Sequence, residues 1–377
     1  MSRIHPGLVG MVGLATVALA LVTPAQGDPT TCQETIAKQL QKFKKIYLKA
    51  HVKCLRLENL GRIGGPCPDQ STQDKIDQTT LSVTATIGAA CPLGDTASLG
   101  FAGDCALEAA SAGAEGGVGG CATLPVGTPE QFAQCLECWK AAEMSEFVAI
   151  LFASHAQEEC GGTLDETSSR CSDLDCTTPL PDQTNLVDSS ENDCQTGIAK
   201  AGVKYLLKRE KILEKCALAG GTQTTCLDPM NLEVAPFLAK AAASKEALIR
   251  RKCGNNRVPT ASPPFCCRTG VANDCDPTLS SPVATPQDCT NVAGHFIMEN
   301  KTCNAGTLNC DSVMGPNKPI TWWETCPESD TCTETLATID DLITCVDTSA
   351  DAIVNELLCF QFPRNTHADW PCPTDSP

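Results

Sequence analysis

The sequence predicts a mainly α-helical fold: two tandem disulfide-stapled helical modules, each a helical hairpin plus a third helix, with long irregular loops. Three observations carry this reading. First, residues 32–54 read CQETIAKQLQKFKKIYLKAHVKC and residues 194–216 read CQTGIAKAGVKYLLKREKILEKC. They align without a gap, and nine of 23 positions are identical, where about one or two are expected at background residue frequencies. Second, the chain of 377 residues holds 26 cysteines, all after residue 31. Third, it has only 16 aromatic residues, so a core of Ala, Leu, Ile and Val has to be supplemented by disulfides.

Residues 1–27 read as a secretory signal peptide. Arg3 supplies a basic start, Leu8 to Val22 is an uncharged apolar run, and Ala25 and Gly27 place small residues before an expected cleavage at Asp28. Fifteen apolar residues are short for a bilayer-spanning helix. No transmembrane segment is expected after signal cleavage. Export places the cysteines in an oxidising compartment, where thiols pair.

The first module is expected over 28–165. Its first helix has helical period and no proline. At 100° per residue, Ile36, Phe43, Ala50 and Cys54 fall within about 40° of Cys32. Cys32 and Cys54 are about 33 Å apart along such a helix, so they cannot bridge each other. Residues 69–90 can return antiparallel as a second helix. That hairpin would close with Cys54–Cys67 at its turn and Cys32–Cys91 at its open end, although four cysteines allow three pairings. A third helix starts at Thr128-Pro-Glu-Gln, a capping box with proline in the first turn, and carries Cys135 and Cys138.

An acidic linker, 166–193, leads to the second module, 194–377. There Cys216–Cys226 and Cys194–Cys253 would repeat the two staples. A third helix is expected from Thr338 with Cys345 in place of Cys135. Residues 254–335 have no period and eight cysteines, so they read as loops held by disulfides. Cys171–Cys176 is expected to close a linker loop.

Charge is segregated. The formal net charge is −17, which argues against a nucleic-acid partner. Yet the two repeat helices hold 12 bases against three acids. Lys38, Lys42, Lys49 and Lys53 line one side of the first, and Lys200, Lys204, Lys211 and Lys215 occupy the same positions in the second. The stripe reads either as a solvated face or as an anion-binding strip for a polyanion. Asp173 and Asp175, in the linker loop, are candidate loose metal ligands, without the carboxylate spacing of an EF-hand.

No catalytic motif stands up. Cys135-Leu-Glu-Cys138 has redox spacing but lies inside a helix rather than at its N-terminus. Gly117 to Ala122 matches a dinucleotide fingerprint without a preceding strand. No cofactor is implied.

The pattern Cys-Gln-x-x-Ile-Ala-Lys, then Lys-Phe/Tyr, then Lys-Cys resembles secreted cysteine-rich repeat proteins of bacteria. The resemblance covers both hairpins and, weakly, the third helices. It implies a bacterial exported protein and carries no activity and no site residues. The expectation is therefore an exported structural or binding protein of the cell exterior, secreted or periplasmic, whose partner is an extracellular protein or a glycan. The alternatives are a secreted enzyme of unrecognised type, or a metal-binding protein using thiolates or acidic loops.

Overall fold

The computed structural model describes residues 29–63, 67–92, 96, 105, 124–152, 189–255, 258–260, 265–269, 274–280, 289, 291–292, 295–299, 301–304, 309–312, 319–321, 326 and 336–361. The expected leader and nearly all of the linker, with Cys171, Asp173, Asp175 and Cys176, lie outside the described residues. The described chain is mainly helical. Among the described residues no helix is long and apolar enough to cross a membrane.

Helix α1 spans Pro29–Asn59 and α2 spans Gln70–Ala90. The Asp69 carboxylate caps α2 by accepting from the Thr72 N–H at 2.9 Å, which satisfies a donor that has no partner within the helix. Helix α3, Pro129–Leu151, starts at the Thr128 cap. The Thr128 hydroxyl accepts from the Gln131 N–H, as a capping box requires, but the Gln131 side chain accepts from the Gly127 N–H instead of the Thr128 N–H. In the second half, α4 is Ser189–Leu218, α5 is the short Gln223–Leu227, and α6 is Ala235–Cys253. Helix α7, Ile339–Gln361, follows Thr338. There the box is complete: Thr338 and Asp341 each accept from the other's N–H.

Two boundaries differ from the sequence reading. Helix α4 begins within the stretch read as linker, and Glu191 and Asn192 in its first turns are buried. Residues 254–335, read as irregular loop, contain seven short strands. These are β1 Val258–Thr260, β2 Phe265–Thr269, β3 Cys275–Asp276, β4 His295–Glu299, β5 Lys301–Asn304, β6 Asn309–Ser312 and β7 Pro319–Thr321. β1 pairs parallel with β7, β2 lies antiparallel between β3 and β4, and β5 pairs antiparallel with β6. Strands of two to five residues cannot display a readable alternation.

The core is not divided between two modules. Ile36, Leu40 and Phe43 of α1 pack with Ile76, Val83 and Ile87 of α2 and Phe132 and Leu136 of α3. A larger cluster joins Leu48, Val52 and Leu55 of α1 and Phe147 and Leu151 of α3 to α4, α6 and α7. Helix α1 therefore buries two faces. From Cys32 as zero, Ile36 and Phe43 lie within about 40°, whereas Leu55 and Leu48 lie near 140–160°. The remaining arc carries the exposed lysines.

Helices α1 and α4 run antiparallel. Going along α1 through Gln41, Lys44 and Asn59, the α4 partners run backwards through Glu214, Glu210 and Gln195.

Candidate functional site

The disulfides define the frame in which any site sits. Cys32 is joined to Cys91 and Cys194 to Cys253, with Cα–Cα distances of 4.9 and 4.5 Å and a sequence separation of 59 in both. Cys54 is joined to Cys67 and Cys216 to Cys226, with Cα–Cα distances of 5.8 and 5.9 Å. Each helical pair, α1–α2 and α4–α6, is thus stapled at both ends. The N-terminal parts of α3 and α7 are tied to the preceding segments by Cys105–Cys135 and Cys326–Cys345. Cys138 is also in a disulfide, so the Cys135-x-x-Cys138 spacing offers no thiol for redox chemistry. Among the described residues, one group of metal-ligating type comes together, Cys266, Cys275 and Cys303. Cys275 is bonded to Cys303, and Cys266 is disulfide-bonded too. An oxidised sulfur is not a thiolate ligand.

The lysines Lys38, Lys42, Lys49 and Lys53 are exposed on α1, and Lys200, Lys204, Lys211 and Lys215 are exposed on α4. Lys42 donates to Ser82 Oγ at 3.1 Å. Lys200 is held below the usual lysine range, first by partial burial and then by Arg56 and Lys252 beside it. No described contact gathers the two stripes into one patch.

Three polar groupings stand outside what the sequence indicates. The first is a seam where α1, α3, α4 and α7 meet. Lys44 and Glu210 form a fully buried ion pair. Gln41 donates to Glu214, and Gln361 donates to the other Glu214 oxygen at 3.0 Å. The Lys140 ammonium donates to the Leu357 carbonyl at 2.8 Å. Burial pushes Lys44 down to about 7, opposed by Glu214, and pushes the Glu214 carboxyl up, opposed by Lys44. The seam is enclosed, and its charges answer one another.

The second is a pocket of about 480 Å³, open to solvent, between α1, α2 and α3. Phe43, Tyr47 and His51, spaced four residues apart, form one wall. Tyr47 stacks on His51 with ring centroids 4.3 Å apart and leans on Phe43 at 5.8 Å. Residues four apart face the same side of a helix, which is how α1 builds a ladder of rings. Ile76 and Asp77 come from α2, and Asp77 accepts from Gln73 at 2.7 Å. From α3 comes Glu137, only 3% exposed. One carboxyl oxygen accepts from the Thr84 hydroxyl at 3.0 Å, and the other, buried, has no hydrogen-bond partner. Burial pushes Glu137 up to about 8, against the Thr84 hydrogen bond. No Lys or Arg is among the residues lining the pocket.

A third grouping lies between α4, α6 and α7. The Lys245 ammonium is paired with Asp347, donates to the Ile343 carbonyl at 2.9 Å, and stands 5.1 Å from the Tyr205 ring centroid. Asp351 accepts from the Tyr205 hydroxyl at 3.2 Å and pairs with Arg209 at 2.6 Å. Burial holds Lys245 low, opposed by Asp347, and burial raises Asp351 and Tyr205. This is a cation site whose carboxylates are ion-paired with cations of the chain itself.

The signal that could have exposed these groups is charge off the lysine stripe. Lys44 sits about 120° from Cys32, well away from the stripe at about 220–300°. Comparison of the chain with protein-family models, with curated proteins and with solved structures finds no match.

Proposed function

We propose that the protein is an exported binding protein of the cell exterior, built from two copies of one disulfide-stapled helical unit, with a small-molecule site in the first copy. The observation that carries the reading is the pocket between α1, α2 and α3, where Glu137 is buried with one oxygen unpartnered. Nearly all buried polar groups in folded proteins have partners. An orphan oxygen in an open, aromatic-walled pocket is what a ligand would complete. Export is supported by the leader-like residues 1–27 and by the eight described disulfides, which form and persist chiefly in oxidising compartments. Duplication is supported by the repeat sequences and by the equal separations of the open-end staples. The resemblance to bacterial secreted cysteine-rich proteins agrees with both.

The test is a ligand-observed NMR fragment screen on the oxidised chain, run beside an Ala141→Trp variant that fills the pocket. Hits that disappear in the variant support the reading. An empty screen, or hits that survive the variant, overturns it. N-terminal sequencing of the protein recovered after expression with its leader tests export separately: a start at Asp28 is expected.

A further inference from the structure

We infer that the pocket of the first half takes an organic ammonium ion, in the place where the second half carries its own lysine. The inference rests on the binding-site reading above and deepens it. The cysteines Cys32 and Cys194, Cys54 and Cys216, and Cys91 and Cys253 all differ by 162 residues. That offset sets Phe43 on Tyr205, Tyr47 on Arg209 and Val83 on Lys245. The helix starts at Thr128 and Thr338, with Cys135 and Cys345, differ by 210. That offset sets Glu137 on Asp347 and Ala141 on Asp351.

In the second half the carboxylate of Asp347 is answered by Lys245, which also stands over an aromatic ring. Arg209 answers Asp351. In the first half the carboxylate position is kept as Glu137 and the aromatic position as Phe43, but both cations are gone. Val83 replaces the lysine and Tyr47 replaces the arginine. What remains is a carboxyl, a ladder of rings, and an open volume of about 480 Å³. Asp77, exposed on the facing helix, adds a second negative group where the second half has Ala239. A carboxylate with aromatic faces and no Lys or Arg in its pocket selects a positive ligand by charge-assisted hydrogen bonding and by attraction to the rings. A primary ammonium reproduces the Lys245 head group and fits the unpartnered Glu137 oxygen.

The experiment is calorimetry at pH 8 with 2-phenylethylamine, 2-phenylethanol and phenylacetate. The amine is expected to bind, the alcohol at least about tenfold more weakly, and the acid not at all. Glu137→Gln is expected to weaken the amine at least about tenfold and to leave the alcohol unchanged. Equal binding of amine and alcohol, or an unaffected Glu137→Gln variant, overturns the inference. A pocket that captures fragments in the screen above but no ammonium overturns this inference alone; failure of both overturns both. A second measurement does not depend on folding of the Glu137 variant. Lys245→Ala opens the matching position in the second half, and n-butylammonium chloride is expected to raise its melting temperature above that in equal potassium chloride. No such rise overturns the equivalence of the two positions.

Discussion

Replacing Lys44 by methionine removes one partner of the buried pair and leaves Glu210 enclosed without it. Both side chains of the pair are fully buried. Breaking such a pair on one side costs about 3–5 kcal/mol, a large fraction of the stability of a typical domain. Replacing both partners is a different perturbation. Burial lowers Lys44 from 10.5 to about 7. At about 1.4 kcal/mol per tenfold change in proton affinity, charging it inside the fold costs roughly 5 kcal/mol relative to water. The attraction of its neighbours does not recover that cost. The 162-residue offset supplies the apolar alternative: Lys44 falls on Leu206 and Glu210 falls on Leu48, and both leucines lie in the large core cluster. Lys44→Leu with Glu210→Leu is therefore expected to be neutral or stabilising by about 1–4 kcal/mol. The assay is denaturant unfolding of the oxidised chain, wild type, two singles and the double, at pH 7 and pH 10. Between those values the unfolded chain keeps the Lys44 proton that the folded chain has released, so that group makes stability rise with pH. Variants without Lys44 lose that rise. A single variant as stable as wild type, or a double less stable than either single, refutes the reasoning.

Glu137→Gln is expected to change the pH dependence in the opposite sense. The folded chain holds the Glu137 proton from about pH 4.5 to about pH 8, so stability falls as pH rises through that window by up to about 1.4 kcal/mol per unit; unfolding curves at pH 5 to 8 will show a flatter profile in the variant. Gly202 lies inside α4, where an added Cβ would stand 2.6 Å from Leu151 Cδ2 and 3.3 Å from Val346 Cγ1. Gly202→Val is expected to destabilise by about 1–3 kcal/mol, read by thermal unfolding, although glycine is a poor helix former. Non-reducing peptide mapping will find a bridge leaving the first half. Residues 28–165 hold nine cysteines, an odd number, and no described cysteine is free; a map with every first-half cysteine paired inside that half is arithmetically excluded, and a free thiol there would overturn the prediction.

The long helices were legible because their apolar spacing is repeated over six to eight turns. The staples were legible because an antiparallel return of similar length leaves each cysteine one spatial neighbour. The strands of 254–335 were not, since segments as short as Cys275–Asp276 are held by disulfides such as Cys267–Cys289 and Cys275–Cys303 rather than by a patterned face. The seam was hidden by reading α1 as a helix with one buried stripe. Leu48, on the far side from Cys32, is fully buried, so α1 sits between two cores. The pocket was hidden for another reason. It is space left between three helices, and no residue in it departs from what a buried helix tolerates except Glu137, which looks in sequence like any acid on an amphipathic helix.

The seam and the pocket follow one rule. Antiparallel α1 and α4, related by the 162-residue offset, would place every contact twice in a symmetric pair, as an isologous interface does. Here two of the three polar contacts, all but Asn59 with Gln195, have apolar counterparts. Lys44 and Glu210 answer to Leu206 and Leu48, and Gln41 and Glu214 answer to Val203 and Val52. A pair of identical chains cannot hold such a difference, because one sequence serves both sides. Two copies on one chain can, and the charges then mark which side is which, fixing the register of two helices that otherwise offer each other similar faces. The same freedom separates the two cation sites. Under the proposed duplication, one copy keeps Lys245 as a built-in occupant, while the other gives up the lysine and leaves Glu137 for the proposed ligand. On this reading the second copy is the stabilising half and the first the binding half. Loss of the pocket should then leave the melting temperature unchanged, and loss of Lys245 should lower it.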